Sequence, residues 1–218
     1  IRQKKSEADH SMLFVLIVLL LVASVFVLLM KKNRESLCLL GMCCSLMVQF
    51  SGILIFIAKK GGYSRSIINF LFFSQALRNK LQYLFITLDA LGYVIAVGRY
   101  LFPLFLLESA LQYSMIGWIR RHPDIQKWIC VLPAATLAVY FPPVFRSIVN
   151  QWPVMHSVLV EGAYWWITAY VAVALVLMIQ ELFAITMRFC RQQFVGIVGC
   201  HLALSGLYLL YCGQDPAQ

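Results

Sequence analysis

The stretch LQYLFITLDALGYVIAVGRYLFPLFLLESALQYSMIG, Leu81 to Gly117, decides the fold. It is long and apolar enough for a membrane span, yet it carries Asp89, Arg99, Pro103 and Glu108. An ionisable group at membrane depth is costly unless it is paired, hydrated or near an interface, so these charges are candidate functional groups. At 1.5 Å per residue, Asp89 and Glu108 stand roughly 28 Å apart along a helix, about one hydrocarbon thickness. That spacing sets the two acids near opposite interfaces and leaves Arg99 at mid-depth.

Helical phase sharpens the problem. At roughly 100° per residue, Asp89 and Arg99 lie about 80° apart on the helix surface, and Arg99 and Glu108 lie on opposite faces. They form no salt-bridge ladder at spacings of three or four residues. Arg99 therefore needs a partner on another helix, a water-filled cavity, or a path to the interface along its own stem. Pro103 has no N–H, which deprives the Arg99 carbonyl of its ordinary helical donor. A charged side chain and an unpaired carbonyl thus arise at one residue. The expectation is a kink or a polar pocket there, with the freed carbonyl, Gln49 and His201 as candidate partners of the guanidinium.

The composition around this stretch is that of an integral membrane protein. Apolar residues make up 61% of the chain and charged residues 12%, with a mean hydropathy of +0.81; soluble domains carry about 25% charged residues. The net charge of +9 comes from short clusters between apolar runs. Such clusters suit anionic headgroups and topology, not nucleic acid. The seven cysteines fall mostly inside apolar runs and read as small packing residues, not as a disulfide framework.

Residues 1–11 form a polar N-terminal segment, residues 12–212 a helical transmembrane domain and residues 213–218 a short tail. Met12 to Met30 is the first span, and the short connection Lys31 to Glu35 forces an antiparallel hairpin with the second, Ser36 to Ala58. Gly41, Ser45 and Gly52 offer close helix contact there, and Gln49 can cross-link helices by a hydrogen bond. Ser66 to Tyr83 reads as an interfacial helix, which gives six crossings; an independent crossing would give seven. The fourth span is expected over Trp128 to Phe145, bent by Pro133 near its start, with Pro142 and Pro143 at its exit. An interfacial connection runs from Arg146 to Glu161. The fifth span covers Gly162 to Ile179, and the sixth Phe194 to Tyr211, with His201 and the small residues Gly196, Gly199, Ser205 and Gly206. The fold class is all-α, a polytopic helical membrane protein of the cell membrane. Counting Lys and Arg in the loops does not decide the orientation.

No nucleotide-binding glycine loop, zinc-protease histidine pair or glycine-flanked serine nucleophile occurs, so no catalytic residue, metal or cofactor is expected. The hairpin with its short basic loop, Lys80 to Tyr83 entering the Pro103 span, the basic Arg120 to Lys127 loop and the proline-bearing next span together form a pattern. It resembles the seven-helix amino-terminal sensor region of bacterial membrane histidine kinases. The resemblance implies an external N-terminus and a further helix that carries the signal to a cytoplasmic kinase. The phosphoaccepting and ATP-binding regions do not occur among these residues, so the expectation is a sensor module and not the enzyme.

The resulting expectation is a membrane sensor or receptor domain of a signal-transduction histidine kinase. Its candidate switch site comprises Arg99, Asp89, Glu108, Pro103, Gln49 and His201. Its partners would be the lipid bilayer, a peptide or small-molecule ligand, and a second copy in a homodimer. Two alternatives use the same residues differently: a transporter or intramembrane enzyme with these polar groups in an accessible cavity, and a structural partner subunit of a membrane complex.

Overall fold

The computed structural model describes residues 2–29, 33–59, 88–114, 116, 124–152 and 154–212, and for residues 2–11, 57–59, 88–89, 126, 189 and 212 it describes the backbone alone. The segment Ser66 to Tyr83, on which the choice between six and seven crossings depends, lies outside the described residues. Seven helices are described: α1 (Arg2–Leu29), α2 (Arg34–Lys59), α3 (Leu88–Tyr113), α4 (Ile125–Val139), α5 (Pro142–Gln151), α6 (Val154–Ala184) and α7 (Arg188–Cys212). Five of them, α1, α2, α3, α6 and α7, are long and apolar enough to cross a membrane, and α4 with α5 makes a sixth if that bent pair counts as one span. Helices are the natural solution for such sequences, because every backbone donor and acceptor in hydrocarbon must be satisfied within the chain.

The first hairpin is as expected. Asn33 precedes α2, and its N–H is held by the Ser36 hydroxyl at 3.0 Å, the backward-reaching half of a capping box. α1 packs on α2, where the Ser24 hydroxyl donates to the Leu20 carbonyl at 2.7 Å and lies 3.6 Å from the Met47 sulfur.

α3 occupies the centre and packs against α2, α4, α5, α6 and α7. Its contacts with α2 run antiparallel: Gly52 lies against Ile95, Gly98 against Ser45 and Gln49, and Gly41 against Phe105. Farther along, the Gln112 amide donates to the Cys38 sulfur at 3.2 Å and the Tyr113 hydroxyl to Glu35 at 3.3 Å. Glycines at positions 52 and 98 let the two backbones approach closely, and Gly41 makes room for the Phe105 ring; such close contact is how membrane helices gain packing attraction where lipid is as apolar as leucine. α7 is also antiparallel to α3, with Tyr113 against Phe194 and Phe102 stacked on Tyr208 at 4.5 Å. Of the small residues of α7, Ser205 is buried, while Gly196, Gly199 and Gly206 have open space where a side chain would stand. Those three glycines are not used for contact within the described chain.

The fourth span departs from expectation. α4 runs through Pro133 without interruption, and the break comes later, at Tyr140 and Phe141. A residue before proline is pushed out of the α region, and Phe141 accordingly adopts φ −57° and ψ 126°. Pro142 and Pro143 then occupy the first two positions of α5, where no backbone N–H is needed. These prolines open a second helix, bent by 71° from α4, instead of marking the exit of a single span. The expected connection Arg146 to Glu161 is correspondingly mostly helical, divided between the end of α5 and the start of α6.

Candidate functional site

α5 lays one face over a cavity of about 490 Å³. The face consists of Pro142, Phe145, Arg146, Val149 and Asn150, positions one, four, five, eight and nine of the helix and hence a single stripe. α3 supplies the opposite wall, with Gly92, Tyr93, Ile95, Ala96, Arg99 and Tyr100. α6 closes the third side through His156, Val160, Ala163, Tyr164 and Ile167, and Tyr140 stands at the α4–α5 break. Because the early turns of both α3 and α6 line the same space, the two helices run parallel here and the cavity belongs to the end of the bundle where both begin.

Aromatic rings fix the shape of the walls. Tyr100 meets Tyr140 at 5.3 Å, Tyr140 stacks on Phe145 at 5.1 Å, and Phe145 meets His156 edge-on at 5.6 Å. This chain of rings joins α3, the break, α5 and α6. Tyr93 holds Phe141 at 5.6 Å, just where the backbone leaves the helical conformation. Rings at these separations attract one another by about 0.5–1.5 kcal/mol beyond their burial.

Arg99 is the deep cation of this cavity. Its Nε and Nη2 atoms are buried and have no hydrogen-bond partner among the described residues. None of the three expected partners holds the guanidinium. The Arg99 carbonyl, freed by Pro103, accepts instead from the Tyr208 hydroxyl at 2.9 Å. α3 stays one helix through Pro103, and the vacancy is filled by a side chain of α7. Gln49 is fully buried, but neither atom of its amide group has a partner among the described residues, so it forms no cross-link to Arg99. His201 turns elsewhere: Nδ1 donates to the Ile197 carbonyl at 2.8 Å, and in the neutral ring Nε2 is left to accept from the Ser109 hydroxyl at 2.9 Å.

Of the two acids in α3, only Glu108 has a described side chain, and it does not converge on Arg99. Glu108 lies in the part of α3 beyond the cavity, within electrostatic reach of Cys38 and Cys130, and does not line it. Asp89 sits in the first turn of α3, and its side chain is outside the described residues. Glu181 is a buried acid near the end of α6, two residues past the run Gly162 to Ile179 expected for the fifth span. The cavity residues beyond Arg99 were missed from sequence. The readable signal was the stripe of α5 directly after a proline pair. Among the described residues no group of three or more His, Cys, Asp or Glu side chains is placed to hold a metal ion.

A test of the α3–α7 link follows from its geometry. Tyr208→Phe keeps the ring stacked on Phe102 and removes only the donor to the Arg99 carbonyl. The expected cost is about 1–3 kcal/mol, the range for leaving a buried acceptor unsatisfied, read as a lower thermal unfolding midpoint. An unchanged midpoint would mean that the carbonyl gains nothing from Tyr208.

An all-α chain with these apolar membrane-length helices is a polytopic, multi-pass membrane protein. Comparison with protein-family models, curated proteins and solved structures finds no match.

Proposed function

We propose that this chain is a membrane-embedded sensor or receptor module in which occupancy of the Arg99 cavity biases the packing of α5 against α3 and α6. The observation that carries this reading is a buried guanidinium edge, unpartnered among the described residues, in the wall of a cavity covered by a broken helix pair. A volume of about 490 Å³ lies within the range of small-molecule sites, roughly 300–1,000 Å³. A ligand shifts such an equilibrium only through contacts that differ between two states, and α5 offers that difference because it touches the cavity with one face and is hinged at Phe141. With the N-terminus outside and six crossings, the starts of α3 and α6 lie in the outer half of the membrane, a suitable depth for an external signal. Assignment to the sensor side of a histidine kinase is supported by the sequence pattern of the basic hairpin loop, the Pro103 span and the Arg120 to Lys127 loop.

Spin labels test the switch. In a background without the exposed cysteines, Val131→Cys on α4 and Ser147→Cys on α5 report the bend by their separation. Ala163→Phe fills the cavity from α6 and stands in for an occupant. The expected result is two discrete distance populations whose ratio moves with filling. A single distribution, identical in both proteins, would reject a switch at this bend.

A further inference from the structure

The polar lining of the Arg99 cavity has one sign. Arg99, His156 and Asn150 offer donors from three helices, and no carboxylate among the described residues lines the space. Nε and Nη2 of Arg99, the two buried unpartnered nitrogens, belong to one edge of the guanidinium. Their N–H bonds run side by side, and the two oxygens of a carboxylate match that fork. A single deep guanidinium neutralises one negative charge. A dianion would leave an uncompensated charge at membrane depth, which is strongly disfavoured. The rest of the wall is apolar or aromatic, with Ile95, Tyr100, Phe145, Val149, Val160 and Ile167 around the space.

We infer that the cavity binds an amphiphilic monoanion, its carboxylate on the Nε and Nη2 edge of Arg99 and its apolar body against Ile95, Val149, Val160 and Ile167. The inference rests on the receptor reading above and names the ligand class of the same site. Two sources supply this chemistry: a fatty acid from the bilayer, or a small carboxylic acid from the aqueous phase.

The test uses the whole chain in phosphatidylcholine nanodiscs, titrated with phenylbutyrate and with oleate, each beside its alcohol counterpart, phenylbutanol and oleyl alcohol. Binding is read as a saturable rise of the unfolding midpoint, and the α4–α5 label distance is recorded in the same samples. At least one acid is expected to bind about tenfold or more tightly than its alcohol, the worth of a charge-assisted fork. Saturation by phenylbutyrate assigns the ligand to the aqueous phase, whereas saturation by oleate alone assigns it to the bilayer. Arg99→Gln should erase the preference for acid over alcohol, Arg99→Lys should keep part of it, and Ala163→Phe should block binding with Arg99 intact. Equal affinity for acid and alcohol, an acid preference that survives Arg99→Gln, or no binding by either acid overturns the inference. If the alcohols bind equally well and move the α4–α5 distance, the receptor reading stands without the anion. If an acid binds and the distance stays fixed, the anion site stands without the switch, and if no probe binds or moves the distance, both fall.

Discussion

Arg99→Leu should produce a protein that is more stable than the parent and unable to distinguish an acid from an alcohol. The stability half of this expectation comes from burial without compensation, since the Nε and Nη2 atoms lie inside the protein with no partner among the described residues. An arginine at the centre of a membrane helix costs roughly 2.5–3.5 kcal/mol even on the lenient insertion scale. Leucine removes that cost and leaves the backbone carbonyl on Tyr208 untouched, so the midpoint should rise by an amount bounded by that figure. Thermal unfolding of both proteins in the same nanodiscs, with and without phenylbutyrate and oleate, measures both halves. A variant that unfolds earlier than the parent would show that the guanidinium has a structural partner, and Arg99 would then be a packing residue and not a binding group.

Gly98→Leu is expected to be the most damaging single substitution in the bundle. A Cβ built at Gly98 stands 2.5 Å from the Ser45 carbonyl oxygen and 2.7 Å from the Gln49 nitrogen, both backbone atoms that cannot rotate away. Overpacking in a dense core costs about 1–3 kcal/mol for a few extra carbons, and alanine alone should reach that range here. Leucine should exceed it and part α2 from α3. Gly162→Ala is the matched control, because nothing lies within 4 Å of its added carbon, and its effect should stay within about 0.5 kcal/mol. Unfolding midpoints for the three variants check the series. Similar values for Gly98→Ala and Gly162→Ala would mean that the seam between α2 and α3 yields more easily than its distances indicate.

Much of the fold was legible because hydropathy is a strong local signal. Runs such as Met12 to Met30 can do little else but cross, and their helices appear where the runs lie. The fourth span was misread for a local reason. A proline lacks an N–H whether it follows one helix or begins another, and the deciding fact is that Phe141, ahead of Pro142, must leave the α conformation. The vacancy that Pro103 makes at the Arg99 carbonyl was readable from the sequence. The occupant of that vacancy was not, because Tyr208 lies 109 residues away in the chain and only the packing of α7 on α3 brings it there. Gly98 escaped notice beside a conspicuous arginine, although its missing side chain sets the distance between α2 and α3. The cavity itself depends on the 71° bend, and no sequence period encodes an angle between two helices.

The attachment of α7 to α3 also limits how the pair can move. Two polar links join them, Tyr208 to the Arg99 carbonyl and His201 to Ser109, and they lie ten residues apart on α3, about 15 Å along its axis. Two pins on one line behave like the hinges of a door. A piston stroke of α7 along α3 would shear both at once, whereas a swing about the line joining them strains neither. Since one pin is the backbone of Arg99, the switch proposed for the cavity would reach α7 as a sideways swing, not as a stroke along α3.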